Sequence, residues 1–474
     1  MNYEDRPLIQ ALENFRKQQP ISFHVPGHKH GALSGLPQNL RQALAYDVTE
    51  LAGLDDLHSP TGVIQRAEEK LTRLHGSTRS FLLVNGSTVG NLAMLYATVG
   101  KGDAVLVQRN AHKSVFHALE LTGARAVFLS PQWDEDTRTA GGVSVANVKE
   151  AFKQFSNVKA AVFTNPTYYG VANRELGKII KECHAYRVPV LVDEAHGAHF
   201  KAHQSFPESA LSLGADVVVQ SAHKTLPAMT MASFLHVRSN FVKTERVAHF
   251  LHMLQSSSPS YLLMASLDDA RHYVESYNET DYASLQSYRR ELLRELQCIS
   301  DVKVVEVDDP LKLLVRVEGN TGFALQDALE KQGVYSELAD LYQVLLVLPL
   351  VKADHAGIVN DVVKKFRDAV ELLRATESDK PSVKLKMPHL PITTAVYTTD
   401  RLREMKAEWM HIEEAKGKIA FESIVPYPPG IPLLCAGERV AEAHIRQLLV
   451  LAEAGSRFQG AFDVESNQIK VVSE

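Results

Sequence analysis

Between residues 80 and 237 the chain alternates short apolar runs with longer mixed segments. The runs are SFLLV (80–84), DAVLVQ (103–108), ARAVFL (124–129), KAAVFT (159–164), VPVLVD (188–193), ADVVVQ (215–220) and ASFLHV (232–237). They are rich in β-branched residues and apolar at nearly every position. That pattern leaves no face for water, as expected of strands buried on both sides in a parallel sheet. Segments between them, such as GNLAMLYATVG and ELGKIIKECHAYR, are helix-length and amphipathic. Strand–helix alternation of this kind predicts an α/β fold with a mostly parallel sheet. Ahead of it, Leu8, Leu12 and Phe15 share one face of a short helix, followed by the Gly/Pro/His loop ISFHVPGHKHG.

After about residue 270 the pattern changes. DDARHYVESYNETDYASLQSYRRELLRELQ reads as one long helix, and VKVVEV, LKLLVRV and VLLVLPL read as strands of a smaller α+β unit. A polar stretch follows, then a segment with the Pro/Gly loop IVPYPPGIPLLCAGE. The expected division is an N-terminal arm and loop region (1–61), a large domain (62–275), a small α+β domain (276–376), a linker (377–394) and a C-terminal domain (395–474).

Composition narrows the function classes. The 474 residues are 45% hydrophobic and 23% charged, with net charge −5. No basic bias points to nucleic acid or to a membrane surface. Cys183, Cys298 and Cys435 are odd in number and far apart, which fits a reducing, cytoplasmic setting better than a disulfide framework. The N-terminus has no signal-peptide pattern, and no apolar run reaches membrane-spanning length.

Three stretches carry chemistry. PVLVDEAHGAHFKAH (189–203) contains a helicase-like D-E-A-H. A helicase also needs a G-x-x-x-x-G-K-[ST] loop, and the chain has no Gly-Lys-Ser or Gly-Lys-Thr. His196, His199 and His203 are spaced as metal ligands might be, but the glycine after His196 suggests a strand-to-loop junction, so no metal is expected. FLLVNGSTVGNLAMLY (81–96) runs an apolar strand into Asn-Gly-Ser-Thr and then a helix. Free N–H groups and hydroxyls at such a helix start favour an anion, and a plain capped helix is the alternative. DVVVQSAHKTLPA (216–228) ends an apolar strand close to Lys224. Desolvation there makes the amine a usable nucleophile toward an aldehyde, unless the side chain snorkels to the surface. Together, the strand-end acid Asp193, Lys224 and the Gly/Ser/Thr loop are the parts that a pyridoxal 5'-phosphate (PLP) site needs: a carboxylate for the pyridine nitrogen, an amine for the aldehyde, and a cradle for the phosphate. In an open parallel sheet they would gather beyond the carboxyl ends of the strands.

At this point FHVPGHKHG, NGSTVGN, QRNAHKSVFHA, TNPTYYG, DEAHGAHF, QSAHKTLPAMT and IVPYPPGIPLLCAGE resemble, in order, the Orn/Lys/Arg decarboxylase family. The likeness is to the short bacterial form and runs from about residue 5 to about 455. It implies an aspartate aminotransferase-like, fold type I architecture with a seven-stranded-type PLP-binding sheet. It also implies decarboxylation of arginine, lysine or ornithine to the amine, feeding polyamine metabolism. Longer family members begin with a wing domain. There is no room for one before FHVPGHKHG, so wing-mediated assemblies are not expected.

The resemblance also implies roles for matching residues. Lys224 is the Schiff-base lysine and Asp193 the partner of the pyridine nitrogen. His112 stacks on the ring and Ala195 packs against its face. Gly86, Ser87, Thr88, Ser221 and His223 surround the phosphate. His196 partners the phenolic oxygen, and Lys224 and His223 are both candidates for protonating Cα. Ser256 and Ser257 would reach a phosphate across a homodimer, or higher homo-oligomer, with shared sites. The GHKHG loop (27–31) and the PYPPG loop (426–430) would wall the site. Asp55, Asp56 and Glu438 are candidates for the substrate's distal charge, each with a solvated loop as the alternative. Two other readings remain at this stage: an aminotransferase or carbon–carbon lyase of the same fold, and a non-catalytic PLP-fold binding protein.

Overall fold

The computed structural model describes residues 3–355, 361–375, 390–427, 431–453 and 455–473. All seven expected strands form: β1 (Arg79–Leu83), β2 (Ala104–Gln108), β3 (Arg125–Leu129), β4 (Val158–Thr164), β5 (Val190–Asp193), β6 (Val217–Gln220) and β7 (Ser233–Val237). Every residue of β2, β5, β6 and β7 is buried. This is why their sequences show no two-residue alternation.

The chain divides into two compact units. The first comprises Met1–Thr98 and Pro189–Asn278. Its strands lie in the order β1-β7-β6-β5, with β5 and β6 parallel and β7 antiparallel to both its neighbours. The helix Gly86–Thr98 packs on these strands at Gly90. A Cβ there would lie 2.5 Å from Val219 Cγ2 and 3.0 Å from Leu83 Cδ1, so only glycine lets the helix come this close. The N-terminal helix Pro7–Lys17 buries Leu8 and Leu12 and leaves Phe15 half-buried. It is pinned by Leu8 N donating to Asp268 Oδ2 at 2.9 Å.

The second unit comprises Val99–Val188 and Glu279–Glu474. Here β4, β2 and β3 are parallel, and Ile392–Thr394 adds an antiparallel strand beside β3. Of the stretch read as a linker, residues 377–389 lie outside the described residues. The strands expected after residue 300 form an antiparallel sheet of Val302–Glu306, Lys312–Val317, Val344–Val347 and Leu338–Ala339. The C-terminal part adds the helix Glu442–Glu453 and a three-stranded sheet.

One expectation is corrected. The segment read as a single long helix is two, Tyr261–Glu275 and Glu279–Gln297. The break falls at Ser276-Tyr277-Asn278, where Ser276 Oγ donates back to the His272 carbonyl at 2.6 Å. Serine and asparagine compete in this way with the helix ladder, and the charged flanks on either side hide the interruption.

Candidate active site

The first unit brings most of the predicted site residues to the ends of β5 and β6. Asp193, the last residue of β5, is 2% exposed. Its carboxylate accepts from Asn91 Nδ2 at 2.9 Å and from Ala195 N at 3.1 Å. Three residues on, buried His196 places Nε2 3.0 Å from Lys224 Nζ. Lys224 lies on the short helix Ala222–Thr225 that follows β6. Ser221, which precedes that helix, donates from Oγ to Ser87 Oγ at 2.8 Å. Ser87 stands in the first turn of the helix Gly86–Thr98, with Gly86 at φ +76° to make the turn out of β1. Thr88 is exposed in the same turn. His223 hydrogen-bonds through Nδ1 to the Ala232 carbonyl at 3.1 Å; because a carbonyl only accepts, Nδ1 carries the proton.

Beside Asp193 the sequence hides a second acid. Glu194 is fully buried, and its carboxylate accepts from Ala210 N (2.6 Å), Gln220 Nε2 (2.6 Å) and Ser209 Oγ (2.8 Å). Burial pushes its pKa up to about 7, while these donors and the charge of Lys201 pull the other way. Neither Asn91 nor Glu194 was assigned a task from sequence. The available signal was a polar residue on an otherwise apolar face.

The remaining predicted residues are placed as follows. His112 belongs to the second unit, where it caps the helix Lys113–Thr122; Nδ1 accepts from Ser114 N at 3.2 Å. Ser256 and Ser257 are exposed. The Ser256 amide donates to Asn85 Oδ1 at 3.3 Å and its carbonyl accepts from His58 Nε2 at 2.9 Å. In the GHKHG loop, His28 Nε2 lies 3.0 Å from Asp47 Oδ2. Pro428, Pro429 and Gly430 of the PYPPG loop lie outside the described residues.

Two candidates for the substrate's distal charge are corrected. Glu438 is neither a solvated loop residue nor a free acid. It is 1% exposed, and its carboxylate meets Arg109 (2.5 and 2.9 Å), Thr393 Oγ1 (2.5 Å) and Cys435 N (2.8 Å). Asp55 caps the helix Val63–His75, accepting from the backbone N–H of Thr61 (2.9 Å), Gly62 (2.7 Å) and Ile64 (3.0 Å). Burial raises its pKa, but the backbone donors outweigh that and leave it lowered. Asp56 accepts from His58 N at 2.8 Å. His199 is buried edge-on to Phe200 and Phe206 in a turn. Among the described residues no three His, Cys, Asp or Glu side chains are grouped to hold a metal, and no helix is long and apolar enough to cross a membrane.

A primary amine beside an imidazole, a buried carboxylate and a hydroxyl-bearing helix start match the aldehyde, the pyridine nitrogen and the phosphate of PLP. With the parallel strand ends that carry them, they define the class as a fold type I PLP enzyme. Sequence comparison is more specific. The profile of the Orn/Lys/Arg decarboxylase major domain matches residues 6–313, and that of the C-terminal domain matches residues 383–471. The chain is 44% identical to Uncharacterized protein YaaO of Bacillus subtilis, over 99% of this chain and 98% of that one. It is 32% identical to a Bacillus subtilis protein named arginine decarboxylase, over 100% and 99% of the two chains. The solved constitutive lysine decarboxylase of E. coli has the same fold, with a TM-score of 0.77 at 20% identity, over 99% of this chain and 82% of that one. The chain belongs to the Orn/Lys/Arg decarboxylase family, whose members are PLP-dependent amino-acid decarboxylases.

Proposed function

We propose that this chain removes the α-carboxylate of a basic amino acid in the cytoplasm and supplies the amine to polyamine metabolism. Arginine is the first substrate to test, with lysine and ornithine beside it, because the relative named arginine decarboxylase aligns along its whole length. The observation that carries the reading is Lys224 Nζ, 3.0 Å from His196 Nε2, on the short helix that follows β6, the strand paired with the one that ends in Asp193.

When bound, PLP supplies an electron sink for the pair released as CO2 departs. The residues do the rest. Lys224 would hold the cofactor through its aldehyde, and His196 Nε2 accepts one of the amine's N–H hydrogens and so aims it. Asp193 holds a proton on the pyridine nitrogen; Asn91 Nδ2 and Ala195 N fix its two oxygens. Gly86, Ser87, Thr88, Ser221 and His223 bind the phosphate, and the helix Gly86–Thr98 adds its N-terminal dipole. Ala195 packs against the ring. The buried ends of β5 and β6 keep water away. Lys224 Nζ returns a proton to Cα, since His223 is given to the phosphate. Exposed Ser256 reaches the phosphate of a second copy in a homodimer.

Purified PLP-loaded protein offered arginine, lysine and ornithine in parallel should release one amine in excess, and absence of all three products overturns the reading. Borohydride reduction and peptide mapping should place the cofactor on Lys224. A label elsewhere removes that residue from its role.

A further inference from the structure

One face of the four strands of the first unit carries an unbroken row of polar side chains. Ser80 of β1 lies opposite His236 of β7 in the ladder, and His236 lies opposite Val218 of β6. Gln220 is two residues beyond Val218. Val192 of β5 lies opposite Val218, and Glu194 is two residues beyond Val192. Strand alternation therefore puts Ser80, His236, Gln220 and Glu194 on one side and Asp193 on the other. All four are completely buried. Each contacts the next: Ser80 Oγ to His236 Nδ1 at 2.8 Å, His236 Nε2 to Gln220 Oε1 at 3.1 Å, and Gln220 Nε2 to Glu194 Oε2 at 2.6 Å. Ser77 Oγ, 2.7 Å from Ser80 Oγ, brings the row to the half-buried edge of the unit. His75 stacks on His236 with centroids 4.0 Å apart. Burial holds both rings neutral, with His75 down to about 3.

The chemistry of the donors fixes the direction. With its carboxylate ionised, Glu194 only accepts, so Gln220 must present its amide N–H to it. The Gln220 oxygen then faces His236, which must carry its proton on Nε2. The bare Nδ1 accepts from Ser80 Oγ, which in turn accepts from Ser77. Every link points the same way, from Ser77 to Glu194. Glu194 directly follows Asp193, and Gln220 directly precedes Ser221. The 2.6 Å link between them ties together the two points of backbone from which Asp193 and Lys224 depart.

We propose that Glu194, as an anion at the end of this one-way hydrogen-bonded row, is a positioning residue that sets Asp193 against the Ser221–Lys224 segment. The functional part rests on the reading of Asp193 and Lys224 given above. The tautomer of His236 does not, so the two can fail separately.

The test uses holoenzyme at about pH 8.5, above the Glu194 titration. Ring-¹⁵N histidine spectra, with His236 assigned by its loss in His236→Phe, should show Nε2 protonated and Nδ1 bare. Glu194→Gln leaves one oxygen for three donors, so Gln220 turns over and the His236 proton moves to Nδ1. CO2 release from whichever of arginine, lysine or ornithine is turned over should fall about 10- to 100-fold in kcat, with KM little changed. The bound-cofactor absorption band should shift. The exchange Glu194→Gln with Gln220→Glu restores an acceptor at 220, and should return His236 to the Nε2 form and recover most of kcat. A wild-type Nδ1 proton overturns the proposal, as does full kcat in Glu194→Gln or an inactive but folded exchange variant. The wild-type tautomer and the exchange variant carry the test if Glu194→Gln does not fold.

Discussion

Glu438 in the second unit and Glu194 in the first are both buried glutamates, yet they are held in opposite ways. Burial alone raises the pKa of either. At Glu438 the Arg109 guanidinium outweighs burial and the pKa falls below the ordinary value. At Glu194 the contacts are neutral donors, and the pKa settles at about 7. Glu68, in the first unit, extends the series: it is buried with one backbone donor, Leu82 N at 3.2 Å, and is pushed up to about 8. The partner, not the depth, decides the charge. A salt-bridged glutamate is a brace, while one held by neutral groups stays responsive.

The largest expected effect separates brace from site. Glu438→Ala strands the buried Arg109 charge and should cost about 3–5 kcal/mol in urea unfolding. Replacing both partners, Arg109→Met with Glu438→Leu, should recover most of that loss; failure to recover would mean that the pair does more than brace. Asp193→Ala should behave in the converse way. Its kcat should fall by about 10²–10³-fold or more, while its unfolding midpoint moves less than in Glu438→Ala. Turnover near that of wild type would remove Asp193 from the pyridine nitrogen. The smallest effect belongs to Glu68. Its folded state keeps a proton up to about pH 8, whereas the unfolded chain releases it near 4.5, so stability falls as pH rises through that window. Glu68→Gln should match wild type near pH 5 and exceed it by roughly 1–3 kcal/mol at pH 7. Equal stability at both pH values would show that Glu68 ionises freely.

The sequence made the β-branched strands legible because burial on both faces suppresses polar residues. It also marked Asp193, Lys224 and the Gly86–Thr88 turn, since a charged residue or glycine at the end of such a run is conspicuous. What it concealed was pairing between distant segments. Nothing local shows that Glu438 will meet Arg109, or that Asp55 will cap a helix that starts eight residues later. The polar row was visible only as single exceptions: His236 interrupts an apolar run, Ser80 and Gln220 stand at the ends of two others, and their registry appears only when the strands align. The four letters D-E-A-H thus divide between the two faces of the sheet, with Asp193 on one and Glu194 on the other.

Gly90 has a consequence for heredity as well as for packing. A single methyl group there would overlap Val219, which neighbours the Gln220–Ser221 step. Every amino-acid change that a point mutation can make at this codon adds at least that methyl. The position should therefore appear in a mutational scan as intolerant of all replacements, alanine included, with the damage graded by size and indifferent to charge. Such a residue leaves no room for gradual drift: the spacing between the helix that starts at Gly86 and the strand β6 is inherited as it stands.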